Sequence, residues 1–139
     1  IKWQLRVASG EKIDFPQDQI KLNGAAIECR INAEDPARDF APSPGKVHTY
    51  IPPGGPGVRM DTHMFQGFQV SPHYDSMVSK LIVHRKDRAD AIETMKRALR
   101  EFRVEPIKTT IPACLEILKH NLYVKNDIDT TFIEKHIWK

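Results

Sequence analysis

A chain of 139 residues can build one domain around one modest core. With 40% hydrophobic and 28% charged residues it has the composition of a folded globular chain, and a formal charge of +3 is too mild to argue for a nucleic-acid partner. No apolar run approaches the length of a membrane span, and no signal-peptide pattern is present.

Ile1 to Ser9, "IKWQLRVAS", is predicted as a helix with Ile1, Leu5 and Ala8 on one face, stopped by Gly10. There is no initiator methionine, so the expectation is a piece of a longer protein. Glu11 to Asn23 reads as a polar connector containing Pro16. In Ala25 to Glu34, Ile27, Cys29 and Ile31 alternate with Glu28, Arg30 and Asn32, the period of a half-buried strand. Asp35-Pro36 ends it, because proline cannot continue a ladder.

Residues 36–45 read as a loop, Lys46 to Ile51 as a second strand, and 51–57, "IPPGGPG", as a rigid turn. A short strand follows around Val58. Residues 64–70 are expected as a strand or hairpin limb interrupted at Gly67, and Ser76 to His84 as a strongly apolar strand. Arg88 to Phe102 carries a stripe of Ile92, Met95, Leu99 and Phe102, which predicts an amphipathic helix capped by Asp87 or Asp90. "VEPIK" reads as a link. A helix is predicted over about Ile111 to Asn121, with Pro112 in its first turn, and a short one from near Asp129 to Trp138. Strands followed by helices argue an α+β fold with an antiparallel sheet.

Few chemistries fit. The six histidines form no HxH or HExxH spacing, and no cysteine lies near enough in sequence to suggest a zinc cluster, so no metal site is assigned. Cys29 and Cys114 both fall in segments read as buried. They suit a reducing compartment, and a disulfide is possible but not demanded. The glycine-rich loop lacks a lysine-serine partner and opens a strand, so it is no phosphate cradle. Arg59 follows that loop directly. It is either a surface ion-pair partner or a functional cation, since a guanidinium can bind a carboxylate or bicarbonate or stabilise a developing negative oxygen. Asp75 either pairs with a cation or caps a turn.

"AAIECRINAEDPARDFAPSPGKV", "PGGPGVRMDTH", "HYDSMVSKLIVH" and "IKTT" together, in this order and spacing, resemble the C-terminal domain of biotin carboxylase, the ATP-dependent component of acetyl-CoA carboxylase and related enzymes. The resemblance covers essentially the whole chain. It implies a barrel-like antiparallel sheet (a barrel-sandwich hybrid) flanked by C-terminal helices. It also implies a division into residues 1–23, trailing from an ATP-grasp region, and 24–139, the domain itself.

The family forms carboxyphosphate from ATP and bicarbonate on Mg2+, then carboxylates a biotin carried on a separate protein or domain. Arg59 matches the arginine of the family's "GVR" motif. By that resemblance it contacts bicarbonate and the ureido oxygen of biotin and is the catalytic residue here, with Gly57, Val58, Tyr74 and Asp75 as supporting residues. The ATP-grasp lysines and the magnesium-binding glutamates have no counterpart in this chain, so it is expected to turn over no ATP and hold no ligand alone.

The implied partners are a biotin carboxyl carrier protein or domain, a carboxyltransferase component and a second copy in a homodimer, without nucleic acid or membrane. The implied location is the cytoplasm or an organelle matrix. Thr130 and Thr131 depart from the more apolar pattern of the family's adenine-side segment and are not assigned as ligands. Pro106 stands where many relatives carry glycine. The alternative reading is a structural and dimerisation module with no direct ligand role.

Overall fold

The computed structural model describes residues 1–137. Trp138, the expected end of the closing helix, lies outside them. Helix α1 spans Lys2–Ala8 and buries none of its residues. Its Trp3 stands edge-on to Phe15 at 5.5 Å between centroids, with Arg6 stacked 4.0 Å over the indole. Gly24, at φ 72°, leads into the sheet. A Cβ there would fall 2.1 Å from the Arg85 carbonyl oxygen, so only glycine fits the approach.

Three antiparallel strands, β1 (Ala25–Asn32), β6 (Val58–Thr62) and β8 (Met77–Arg85), form the central sheet, with β8 in the middle. The alternation read in the sequence is what orients them. Ile27, Cys29, Ile31, Val78, Leu81 and Val83 are buried in the core, with Val58 and Met60 packed against them. Helix α2 (Arg88–Glu101) covers the inner face of the sheet with Ala91, Ile92, Met95, Ala98 and Leu99. Asp87 is its cap, its carboxylate accepting from the Asp90 N–H at 2.9 Å.

The remaining strands are short. β2 (Glu34–Asp35) pairs with β3 (Ala41–Pro42), β4 (Gly45–Lys46) with β7 (Gln69–Val70), and β5 (Thr49–Ile51) with β9 (Arg103–Glu105), all antiparallel. The single strand expected over Lys46 to Ile51 is therefore two strands in two different ladders. The partner changes between Val47, whose N–H still reaches the Phe68 carbonyl beside β7, and His48, whose N–H turns to the Glu105 carbonyl of β9. Likewise the limb expected over 64–70 is strand only at Gln69–Val70, because Gly67 turns the chain at φ 95°. "VEPIK" is more than a link. Val104 is the buried centre of β9, followed by a cis Glu105–Pro106 peptide.

Helix α3 (Ile111–Lys119) is shorter than predicted, ending where the His120 side chain caps α4 (Asn121–Val124). Helix α5 (Phe132–His136) closes the described chain. Among the described residues no helix is long and apolar enough to cross a membrane.

Candidate functional site

The main chain holds the C-terminal end of the 51–57 loop. The Val58 N–H donates to the Gly55 carbonyl at 3.1 Å and the His84 N–H to the Gly57 carbonyl at 2.9 Å, so the loop closes directly onto the end of β8. Gly57 lies at φ 75°, and a Cβ there would sit 2.5 Å from the His84 carbonyl oxygen. Two arginines clamp the outer side of the loop. Arg85 Nη1 donates to the Pro56 carbonyl at 3.4 Å, and Arg97 Nη2, reaching from α2, donates to the Gly54 carbonyl at 3.2 Å. Pro53 is buried beneath. Rigidity therefore comes from φ-restricted residues and from cations on neighbouring elements.

Strand parity does the next step. Val58 and Met60 face the core, so Arg59 and Asp61 share the opposite face. Arg59 opposes Ile82 of β8, and Asp61 opposes Lys80, which itself opposes Arg30 of β1. The outer face of the sheet thus carries a cross-strand row of Arg30, Lys80 and Asp61 beside Arg59. The Arg59 side chain is 72% exposed and engages Asp61 at two points, Nε to Oδ1 at 2.9 Å and Nη2 to Oδ2 at 2.8 Å.

The hydrogen bond from Arg59 is the main reason the Asp61 carboxyl titrates below its ordinary range, with the charges of Arg59 and Lys80 assisting against partial desolvation. The pairing raises the Arg59 pKa in turn. One fork of the guanidinium is engaged. The Nη1 group and the second Nη2 hydrogen remain directed away from Asp61, available to an oxyanion.

Gly57 and Val58 position Arg59 directly. Tyr74 and Asp75 do not lie with them. They precede the start of β8 at Met77, whereas Arg59 pairs with Ile82, five residues or roughly 17 Å along the strand by strand rise. Tyr74 is 84% exposed, and Asp75 Oδ1 accepts from the Met77 N–H at 2.7 Å, the turn-capping role. Among the described residues no hydrogen bond or ion pair joins either to Arg59. A shallow groove lined by Asp61, Thr62, His63, Met77, Ser79 and Lys80 runs from the ion pair to that capped turn. Among the described residues no group of three His, Cys, Asp or Glu side chains is gathered to hold a metal ion.

Sequence reasoning missed Asp61, Lys80, Arg85 and Arg97. Asp61 was within reach, because residues two apart on a strand share a face. Lys80, Arg85 and Arg97 come from distant elements, and no local pattern marks them.

The family model described as the biotin carboxylase C-terminal domain matches residues 28–135. Biotin carboxylase 1 of Bacillus subtilis is 48% identical over 98% of this chain and 30% of its own length. The chloroplastic biotin carboxylase of Arabidopsis thaliana is also 48% identical, over 98% of this chain and 25% of its own. Among solved structures, the biotin carboxylase domain dimer of Hydrogenobacter thermophilus 2-oxoglutarate carboxylase, in complex with MgADP, ADP and bicarbonate, superposes with a TM-score of 0.91. It is 41% identical, over 97% of this chain and 30% of that one. The chain thus spans between 25% and 30% of the length of these relatives.

Proposed function

The chain belongs to the biotin carboxylase C-terminal domain family, and from that premise we propose that it forms one wall of a biotin carboxylase active site, with Arg59 as its catalytic cation. The observation that carries this reading is Arg59 itself. A permanently charged fork stands on the outer face of a sheet, at the end of a loop clamped by His84, Arg85 and Arg97, with its second fork uncommitted.

Bicarbonate and the ureido group of biotin both fit such a donor set, since each presents oxygen acceptors to a planar cation. Biotin, when bound, supplies the ureido nitrogen that accepts carbon dioxide. Arg59 stabilises the negative charge that collects on the neighbouring oxygen, and it is pre-oriented by Asp61, so little reorganisation accompanies the reaction. A fixed donor of this kind lowers a barrier by about 3–4 kcal/mol. The groove from Asp61 to Met77 lies beside it as a track for the arm that delivers biotin. We assign ATP and Mg2+ handling to other parts of the parent enzyme, because the chain spans only between 25% and 30% of the length of its relatives.

Residues 1–23 are assigned to the segment trailing from that ATP-binding region, and 24–139 to the domain. The support is exposed apolar surface at Ile1, Leu5, Ile13 and Leu22, and the backbone turn at Gly24. The partners that follow are a biotin carrier, a carboxyltransferase component and a second copy of the enzyme. The activity proposed is the biotin-carboxylating half-reaction. Acetyl-CoA as the final acceptor, and hence fatty acid synthesis, is the finer reading, resting on the "CRINAEDP" wording alone.

Phenylglyoxal labelling of arginines in the intact enzyme tests the site. Arg59 is expected to lose most of its reactivity when biotin and bicarbonate are present together. Equal labelling with and without them would overturn the assignment and leave a structural module.

A further inference from the structure

Asn23 and Gly24 join the N-terminal segment to the sheet, and three conditions for one reaction meet there. The first lies in the sequence. Asn23 is followed by glycine, whereas Asn32, Asn121 and Asn126 precede Ala33, Leu122 and Asp127. Without a Cβ, the Gly24 nitrogen is open to the side-chain carbon beside it. The second is freedom. Asn23 is exposed, and among the described residues neither its side-chain amide nor the Gly24 N–H has a hydrogen-bond partner. The third is a donor. His84, near the end of β8, places Nε2 2.7 Å from the Asn23 carbonyl oxygen. A carbonyl only accepts, so this ring nitrogen carries the proton and donates it. A Cβ on Gly24 would lie 3.0 Å from the same nitrogen, so the imidazole sits against the Asn23–Gly24 peptide itself.

We propose that Asn23 is a site of spontaneous deamidation, with His84 promoting closure of the succinimide. The nucleophile is the Gly24 nitrogen once it has lost its proton to water or hydroxide. That loss spreads negative charge onto the Asn23 carbonyl oxygen, where the His84 N–H already stands. The Gly24 nitrogen then attacks Asn23 Cγ. A bond from Cγ to the main-chain nitrogen forms, the Cγ–Nδ2 bond breaks, and the side-chain amide leaves as ammonia. Water next opens the ring. Attack at Cγ returns the normal backbone with an aspartate side chain. Attack at the main-chain carbonyl gives isoaspartate, with the chain running through Cβ and Cγ. Either route consumes one water, releases one ammonia and transfers no electrons.

Both products put a new carboxylate beside His84. Isoaspartate also lengthens the main chain by one carbon, about 1.5 Å. The extra length falls directly ahead of Gly24, which fits tightly against the Arg85 carbonyl, and of Ala25, which opens β1 opposite Arg85. The reaction therefore loosens the junction between residues 1–23 and the sheet as the protein ages. The proposal uses no part of the biotin chemistry and stands apart from that reading.

The test incubates the intact enzyme at mildly alkaline pH and follows the peptide carrying Asn23 by mass spectrometry, with isoaspartate detected by an isoaspartyl methyltransferase. Acid should accumulate at position 23 ahead of Asn32, Asn121 and Asn126. His84→Ala, its folding checked by circular dichroism, should slow the reaction about tenfold, the worth of one hydrogen bond to an oxygen gaining charge. His84→Gln, whose side-chain amide also donates, should restore most of the rate. In urea the three proteins should react alike, because the His84 contact is gone. An Asn23 peptide that stays intact, matching rates in folded wild type and His84→Ala, or rates that still differ in urea would overturn the proposal. So would a folded wild type that reacts more slowly than its urea-unfolded chain.

Discussion

Arg59 and Asp61 form a two-point ion pair along one face of β6, Nε to Oδ1 at 2.9 Å and Nη2 to Oδ2 at 2.8 Å. Each constrains the other. Asp61 fixes the plane of the guanidinium, and the guanidinium keeps Asp61 ionised below the usual carboxylate range. The pair is exposed, so its value lies in orientation more than in stability.

Asp61→Asn should leave the melting temperature essentially unchanged but lower biotin carboxylation about tenfold to a hundredfold, because a loosened cation is misplaced in the transition state. Steady-state kinetics with free biotin checks this, together with thermal unfolding of the same variant. The pair also has a pH signature. The Asp61 pKa is lowered on folding, so its contribution is fully present above the ordinary value of 3.8 and is lost as pH falls through the lowered folded value. The Arg59 Nε–H resonance should accordingly hold its shift down to about pH 4 and move only below it.

Gly57→Ala should destabilise the domain by about 2 kcal/mol or more, since alanine resists φ 75° and its Cβ would press on the His84 carbonyl oxygen. Denaturant unfolding gives the stability. The same variant should lose biotin carboxylation, because Arg59 starts two residues further along the same displaced backbone.

Thr110→Val keeps the shape of a buried side chain but removes the acceptor for the Asn32 N–H and the donor to the Arg30 carbonyl. A loss of about 1–3 kcal/mol is expected, the cost of leaving a buried backbone donor unpaired. Amide hydrogen exchange should show the loss first at Asn32 and along the first turn of α3.

Much of this architecture was legible residue by residue. The alternation of Ile27, Cys29 and Ile31 and the stripe of Ile92, Met95 and Leu99 specify β1 and α2, because burial on one face imposes a local period. The direction of Arg59 followed from the same parity. What was not legible depends on partners far along the chain. Lys46 and Thr49 belong to separate ladders because Gln69 and Glu105, their opposite numbers, lie in different elements. The three residues of β9 are too short and too charged to announce a strand. Tyr74 and Asp75 sit in a motif next to β8, yet Arg59 opposes Ile82, five residues beyond the Met77 end of that strand.

The most direct measurement is the rate at which the intact Arg59→Ala enzyme carboxylates free biotin, set beside its affinity for ATP. A fall of about a hundred- to a thousandfold in the carboxylation rate, with ATP affinity unchanged, is what an oxyanion-stabilising Arg59 predicts. Carboxylation near the wild-type rate would contradict it.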